Sequence, residues 1–505
     1  MAFLGIDIGT SGTKTLLLSE SGHVLATAES PHLLLTPKPG WTEQNPADWF
    51  TAVQKATHAV LKKAHLKGDQ VRAIGLSGQM HGSTFLDAAG KVLRPALLWN
   101  DQRTAAQCAQ IESLAGGRAA LIDMVSNPAL TGFTAPKILW FREHEPAKFE
   151  KCKQVLLPKD YIRFRLTNDY CSEVSDASGT LLLNVKTRAW HTGLISKLGL
   201  DAALLPRVVE SQAVTGTLTP AAAKLLGLKA GIPVVGGAGD QAAGAVGTGV
   251  VSPGLVSASM GTSGVIFATS AAPQTDPSGR VHTMCHAIPD TWCVFGCMLS
   301  AGGSLQWLRN TLFQAEMKKA KDPGEVYPAM IAEALTAPPG SENLLFLPYL
   351  TGERCPHADP HARGAFIGLT PRHHRSHLIR SVIEGITFGM REQIMIFRQM
   401  SIPVTQVRAS GGGARSAFWR QLQADMYQAP VVTINVAEGA ALGVAILAAV
   451  GAGHYQSVPE ATQAIIKVKT QSKPNKKSAA LYDSQYPKYA ALYPALKQSF
   501  ATLGS

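Results

Sequence analysis

No stretch of the 505 residues is long and apolar enough to span a bilayer. The longest bland run, 439–453, covers about 15 residues rather than the ~20 a spanning helix needs. Its Ala and Gly content reads instead as a helix packed closely on a sheet. The first residues have no basic segment and break into Gly5 and Asp7, so they do not read as a secretory leader, and a cytoplasmic location is expected. Cysteine is sparse: seven residues (108, 152, 171, 285, 293, 297 and 355), odd in number and scattered. That excludes a disulfide framework and predicts reduced thiols. His282, Cys285, His286, Cys293 and Cys297 crowd together, but their spacing matches no paired zinc motif and the stretch alternates like two strands, so they read as core residues.

Charge is also modest, 16% of residues, against 46% hydrophobic. Such a balance excludes a disordered chain and fits a soluble globular enzyme. The net charge of +12 does not form a basic stripe with interleaved aromatics. It gathers in Lys467, Lys469, Lys473, Lys476 and Lys477 and in the 372–377 stretch. Nucleic acid is therefore not an expected partner, and a general positive bias also suits polyphosphate binding. A chain of this length exceeds one core, so two large domains are expected.

What is present is a repeat. Gly-Thr-Ser-Gly occurs at 9–12 and again at 261–264, each after an apolar strand-like run. Strands are expected at 2–8, 13–19, 23–29 and 71–76, with a helix over 46–66. After 250 the order restarts with strands at 255–260, 264–269, 281–287 and 292–299. Helices follow near 302–315, 325–336 and 376–398. A strand at 404–409, a helix at 416–428, a strand at 431–436 and the 439–451 helix come next. Each half thus reads as a three-strand meander followed by alternating helices and strands, a mixed α/β fold. The last fifty residues read as a polar, partly flexible tail with one or two helices.

A glycine-rich turn between strands points several N–H groups at one spot and binds phosphate oxygens. Thr10, Ser11 and Thr262 add hydroxyl donors, and Lys14 adds a charge; an ordinary hairpin is the competing account. Asp7 lies on a strand, where Asp is disfavoured. Beside a phosphate loop it suits magnesium, usually held through water. Asp240 stands where a strand ends and a helix begins. Two roles fit it, helix N-cap and general base in phosphoryl transfer. Gly411-Gly412-Gly413-Ala414-Arg415-Ser416, with Glu438 beyond the next strand, approaches a dinucleotide fingerprint but lacks its third glycine. A platform for the adenosine of ATP fits it better.

These motifs converge on a resemblance. Gly132-x-Thr134-x-x-Lys137-Ile138-x-Trp140 and Gly364-Ala-Phe-Ile-Gly368-Leu369, with His377-Leu378, Ser381 and Glu384, resemble the two signatures of the FGGY sugar kinases. That group lies within the actin/hexokinase/heat-shock-70 ATPase superfamily. Ser77-Gly78-Gln79-Met80-His81-Gly82, Trp99-Asn100-Asp101, Leu157-Pro158-Lys159-Asp160-Tyr161 and Pro348-Tyr349-Leu350-x-Gly352-Glu353-Arg354 are similar to its D-xylulose-phosphorylating branch. The resemblance, over residues 1 to about 450, implies two ribonuclease-H-like domains with a cleft between them. Residues 1–245 would carry the sugar site, the first phosphate loop and the base. Residues 246–505 would carry the nucleotide site, with the polar tail from about 452. It implies Asp240 as the base toward the 5-hydroxyl of D-xylulose and Asp7 as the magnesium residue. Met80, His81, Asn100, Asp101 and Asp240 would contact the sugar. ATP would lie against Thr10, Ser11, Gly12, Lys14, Gly261, Thr262, Gly302, Gln306, Gly412 and Gly413. Another ketose or a polyol on the same fold is the alternative substrate, and a homodimer is common in the group. The sequence departs from the family pattern at Gln241, where relatives usually have Asn, and at Cys355, where Thr is common.

Overall fold

The computed structural model describes residues 1–503. The chain forms two compact units. One comprises Met1–Ser252, Ser270–Cys293 and Val436–Lys467; the other comprises Pro253–Thr269, Val294–Asn435 and Val468–Ser505. Among the described residues no helix is long and apolar enough to cross a membrane.

The first unit is built on strands Ala2–Ile8, Gly12–Ser19 and Val24–Pro31, which form an antiparallel meander. Strand Val71–Gly78 joins Ala2–Ile8 in parallel, and Pro233–Val235 continues on its other side. The second unit repeats this order. Strands Gly254–Met260 and Gly264–Ser270 pair antiparallel, with Trp292–Met298 beyond them. Val404–Gly411 joins Gly254–Met260 in parallel, and Val431–Ile434 follows. The duplication expected from the tetrapeptide thus extends to sheet order and strand direction.

Helix Gly439–Gly451 falls where the sequence places it. Its side chains are apolar all round, which suits burial on every side rather than on one stripe. Almost every residue from Ala441 to Val450 is enclosed. It packs at backbone contact on the first sheet: a Cβ on Gly5 would lie 2.0 Å from the Ala441 carbonyl oxygen, and one on Gly75 would lie 2.0 Å from that of Val444. The same helix crosses helix Asp240–Gly247 glycine to backbone. A Cβ on Gly443 would lie 1.8 Å from the Ala243 oxygen, and one on Gly247 would lie 1.9 Å from the Gly439 oxygen.

Residues 456–503 are more ordered than expected, with three helices rather than one or two. Helices Val458–Ile465, Lys476–Ala490 and Leu492–Leu503 carry enclosed Ile465, Tyr482, Tyr489 and Phe500. Strand Val468–Ser472 pairs antiparallel with Val431–Ile434 and ends the second sheet. The lysine run therefore falls on and around an edge strand, where charge blocks further strand addition. Its polar composition masked this order because the few aromatics that anchor it are spread over long spacings.

The glycine contacts give a paired prediction. Alanine at an interior helical glycine gains about 1 kcal/mol of intrinsic helix preference. At Gly443 the new methyl meets a backbone oxygen that cannot move aside, and overpacking costs about 1–3 kcal/mol. Gly244, on the partner helix, has nothing within 4 Å of such a methyl. Denaturant unfolding should show Gly443→Ala destabilised and Gly244→Ala unchanged or stabilised. Equal behaviour of the two would refute the close crossing.

Candidate active site

In the first unit, Asp7 stands on strand Ala2–Ile8 opposite Lys14 on one side and Ser77 on the other. Asp240 is the first residue of helix Asp240–Gly247, and Gly239 holds the cap position without a side-chain cap bond. The cap account therefore finds no support in its geometry: among the described residues, the side chain bonded to the Asp240 carboxylate is that of Gln241, whose Nε2 donates at 3.4 Å. Both acids lie deep in the protein while keeping part of their surface open. Burial and, after it, the neighbouring Asp7 carboxylate together push Asp240 up to about 7, against the hydrogen bonds of Gln241. Burial likewise raises Asp7 to about 6, against the pull of Ser77 and Lys14. Two carboxyls near neutrality, the charge of one disfavouring that of the other, are what acid–base or cation chemistry needs.

Met80 adjoins the strand end that leads into the second acid. Gly239 precedes Asp240, and a Cβ there would lie 3.0 Å from Met80 Cγ. The His81 imidazole Nδ1 sits 2.8 Å from the Gly179 carbonyl oxygen, and its ring meets Phe133 edge-on at 4.8 Å. Asn100 accepts from the Thr42 hydroxyl at 2.8 Å. Asp101 is fully enclosed, and its oxygens are taken by Arg103 and the Thr42 amide. It braces the loop from beneath.

The first Gly-Thr-Ser-Gly loop closes with the Gly9 amide donating to the Gly12 carbonyl at 3.0 Å. Ser11 is exposed. Thr10 is tied down: its hydroxyl receives Trp99 Nε1 at 2.9 Å and donates to Gln79, while Gln44 Nε2 reaches its carbonyl at 2.7 Å. Gln44 is a member of this cluster that the sequence reading missed, since a single Gln between polar neighbours carries no pattern. Lys14 pairs with Glu438 at 2.7 Å and with Glu29 at 3.4 Å. Glu438, met in the sequence as the acid of a dinucleotide fingerprint, is the ion-pair partner of Lys14.

In the second unit, Gly261, Thr262, Gly302, Gln306, Gly412 and Gly413 line one cavity of about 630 Å³. Its size suits a nucleoside-sized ligand. Tyr327, Ile331 and Trp419 add apolar wall, and Arg415 adds charge. Tyr327, Ile331 and Trp419 drew no notice in the sequence because they sit on helices whose patterns read as ordinary core or surface, whereas Arg415 belongs to the glycine-rich motif already singled out. The Gly302 amide donates to the Gly261 carbonyl at 2.9 Å, and that of Gly303 to Thr262 at 3.0 Å, which stitches the second loop to the start of helix Gly302–Leu312.

The chain matches the N-terminal domain model of the FGGY family of carbohydrate kinases over residues 2–247 and the C-terminal domain model over 256–452. The chain belongs to the FGGY family of carbohydrate kinases. It is 40% identical over 459 residues to the xylulose kinase of Escherichia coli (strain K12), covering 91% of this chain and 92% of that one. It is 38% identical over 502 residues to the xylulose kinase of Bacillus subtilis (strain 168), covering 99% and 98%. The crystal structure of xylulose kinase from Rhodospirillum rubrum superposes with a TM-score of 0.92 at 30% identity, covering 99% of this chain and 100% of that chain. The protein is a carbohydrate kinase.

Of the two family signatures, the second is a brace. Glu384, enclosed on helix Arg375–Gln399, accepts from Arg380, from the Gly340 amide at 2.9 Å, from Ser341 at 2.9 Å and from Tyr482 at 2.8 Å. It thereby ties the C-terminal helix Lys476–Ala490 to the second unit's long helix.

The raised carboxyl of Asp240 has a stability consequence of defined sign. The folded state holds its proton up to about pH 7, whereas the ordinary carboxyl loses it near 3.8. Folding therefore takes up protons between those values, and stability falls as pH rises through that window, levelling above it. Asp240→Asn, in buffer with EDTA, should raise the Tm more at about pH 8 than at about pH 5. A pH-independent Tm difference would count against the burial of this charge.

Proposed function

We propose that the protein transfers the γ-phosphoryl of ATP to the 5-hydroxyl of D-xylulose, with Asp240 as general base. The observation that carries the reading is the partly exposed Asp240 residue, its carboxyl held near neutrality, next to Gly239, which packs on Met80. Likeness over almost the whole chain to two xylulose kinases supports the sugar assignment. A base poised near neutral pH can take the hydroxyl proton as the oxygen attacks. Met80 and His81 would fix the sugar, Asn100 would contact its rim, and Asp101 would hold that rim through Arg103.

Asp7 suits magnesium. Its Oδ1 is buried without a hydrogen-bond partner, and among the described residues no cluster of three acidic, His or Cys ligands gathers around it. A site with few protein carboxylates matches an ion that keeps waters and borrows phosphate oxygens. Magnesium, when bound, would neutralise charge on the phosphates. Ser11, Gly12 and the pinned Thr10 would present the first loop to them. Lys14 would exchange the Glu438 carboxylate for a phosphate oxygen. The adenosine part would occupy the cavity of Gly261, Thr262, Gly302, Gln306, Gly412 and Gly413. Gln241, whose amide touches the base, is the observation that favours a second reading, a kinase for another ketose.

A coupled ADP-release assay over pentuloses, hexuloses and glycerol decides the substrate, and the highest kcat/KM is expected for D-xylulose. Asp240→Asn should lower kcat by about two to four orders of magnitude while ATP still binds. Near-normal turnover would remove Asp240 from the chemistry, and a higher kcat/KM for another sugar would replace the substrate.

A further inference from the structure

Lys137 is wholly enclosed on helix Thr134–His144. Its hydrogen-bond partners are two backbone carbonyl oxygens, those of His81 at 3.0 Å and Gly132 at 2.7 Å. The nearby Asp101 carboxylate is committed to Arg103 at 2.7 Å. Burial lowers the Lys137 ammonium to about 7, with Asp101 opposing the shift and Arg103 adding to it. A buried ammonium without a carboxylate in contact is costly, so its retention needs a reason.

The carbonyl it grips supplies one. His81 has φ 68°, and the Gly82 amide bonds back to the Met80 carbonyl at 2.8 Å. This three-residue turn with positive φ at its centre is a strained form for a residue with a side chain. Thr134 Oγ1 donates to the same His81 oxygen at 3.0 Å. Gly132 is itself pressed on Trp99: a Cβ there would lie 2.6 Å from the Trp99 carbonyl oxygen. The spacing Gly132-x-Thr134-x-x-Lys137 therefore has a geometric meaning. The glycine offers a carbonyl where no side chain fits. The threonine opens the helix, and the lysine follows three residues later on the same face. The threonine and the lysine converge on one turn, and the glycine carbonyl holds the lysine there.

We propose that Lys137, with Thr134, is a positioning residue of the sugar site: the two donors hold the His81 carbonyl and so keep the Met80-His81-Gly82 turn in the conformation that presents both side chains to the sugar. The inference rests on the reading of Met80 and His81 as sugar contacts. Gly179 completes the arrangement from the far side, since a Cβ there would lie 2.6 Å from the His81 Nδ1.

Steady-state kinetics on full-length Lys137→Met, Thr134→Val, the double variant and His81→Ala test it. Lys137→Met keeps the chain's length without its donors, and its KM for D-xylulose should rise about ten- to hundredfold. Its KM for ATP should stay within about twofold, a split that general loss of structure would not produce. Thr134→Val should shift the sugar KM the same way by less. The double variant should fall short of the product of the two, because both donors serve one oxygen. Unchanged sugar KM in both single variants, with His81→Ala impaired, would overturn the positioning role alone. Unchanged sugar KM in His81→Ala would overturn the sugar-site reading beneath it. Should Lys137→Met fail to fold, Thr134→Val decides: a normal sugar KM there overturns the proposal.

Discussion

Helix Gly439–Gly451 lies so close to its neighbours that backbone touches backbone, and the positions of both acids follow from that contact. Gly5 and Gly75 receive it on the sheet, and Gly247 and Gly443 form its crossing with a second helix. Asp7 stands two residues beyond Gly5 on the same strand, and Asp240 opens the helix that carries Gly247. Glu438, the residue just before the close-packed helix, pairs with Lys14. One apolar helix thus fixes an acid on a strand, an acid at a helix start and the partner of a loop lysine. Close-packed interiors transmit small shifts rather than absorbing them, so a methyl added at this crossing is felt at the carboxylates.

The charges around that frame are unbalanced in a telling direction. Lys159, fully enclosed, contacts Asp160 at 2.6 Å and Glu173 and Asp176 at 3.4 Å. Three carboxylates thus share one ammonium. Glu173 is fully used: it accepts from the Ser175 and Asp176 amides and from the Ser175 and Ser211 hydroxyls. Ser175 in turn accepts the Gly239 amide at 3.1 Å, directly before Asp240. That chain is a scaffold. Asp176 differs, because both its oxygens are buried without hydrogen-bond donors. Its pKa is raised well above the ordinary range, chiefly by burial, with Asp160, Glu173 and Asp240 adding repulsion. Satisfied acids hold the backbone, while unsatisfied ones leave the region in need of positive charge. A proton or a cation arriving there is stabilised by groups already ordered, with little reorganisation at the moment of reaction.

Local pattern carried much of the fold. Periodicity and glycine punctuation placed helix Gly439–Gly451 at both ends and strand Ala2–Ile8 in full, and brought the long helix within one residue of Arg375–Gln399. What pattern could not carry was partnership across the chain. Residues 436–467 pack with the unit that holds the first strand, a pairing of segments more than four hundred residues apart. The ion pair of Lys14 with Glu438 and the contacts of Gln44 and Trp99 on Thr10 are of the same kind. Asp240 shows a finer limit. Its sequence position suited a cap, yet the helix takes Gly239 as cap and the Asp240 carboxylate accepts from Gln241, a difference of one residue that propensity cannot resolve.

The two Gly-Thr-Ser-Gly copies show how one turn serves two purposes. In the first, the strand register sets Asp7 opposite Lys14; in the second, the corresponding acid position is Ser259, and it faces Val265. Both members of a cross-strand charge pair are therefore absent from the second copy. The loops are also anchored differently. The first has its threonine hydroxyl and carbonyl pinned by Trp99 and Gln44. The second gives the carbonyls of Gly261 and Thr262 to the opening amides of helix Gly302–Leu312 and leaves Thr262 on the cavity wall. Four identical residues specify the hairpin, but the charge beside it comes from the strands. A turn flanked by an acid and a lysine suits a site where cations and transferring charge are managed. The same turn flanked by Ser and Val, next to a helix start and an apolar cavity, suits holding an anionic ligand without an opposing carboxylate.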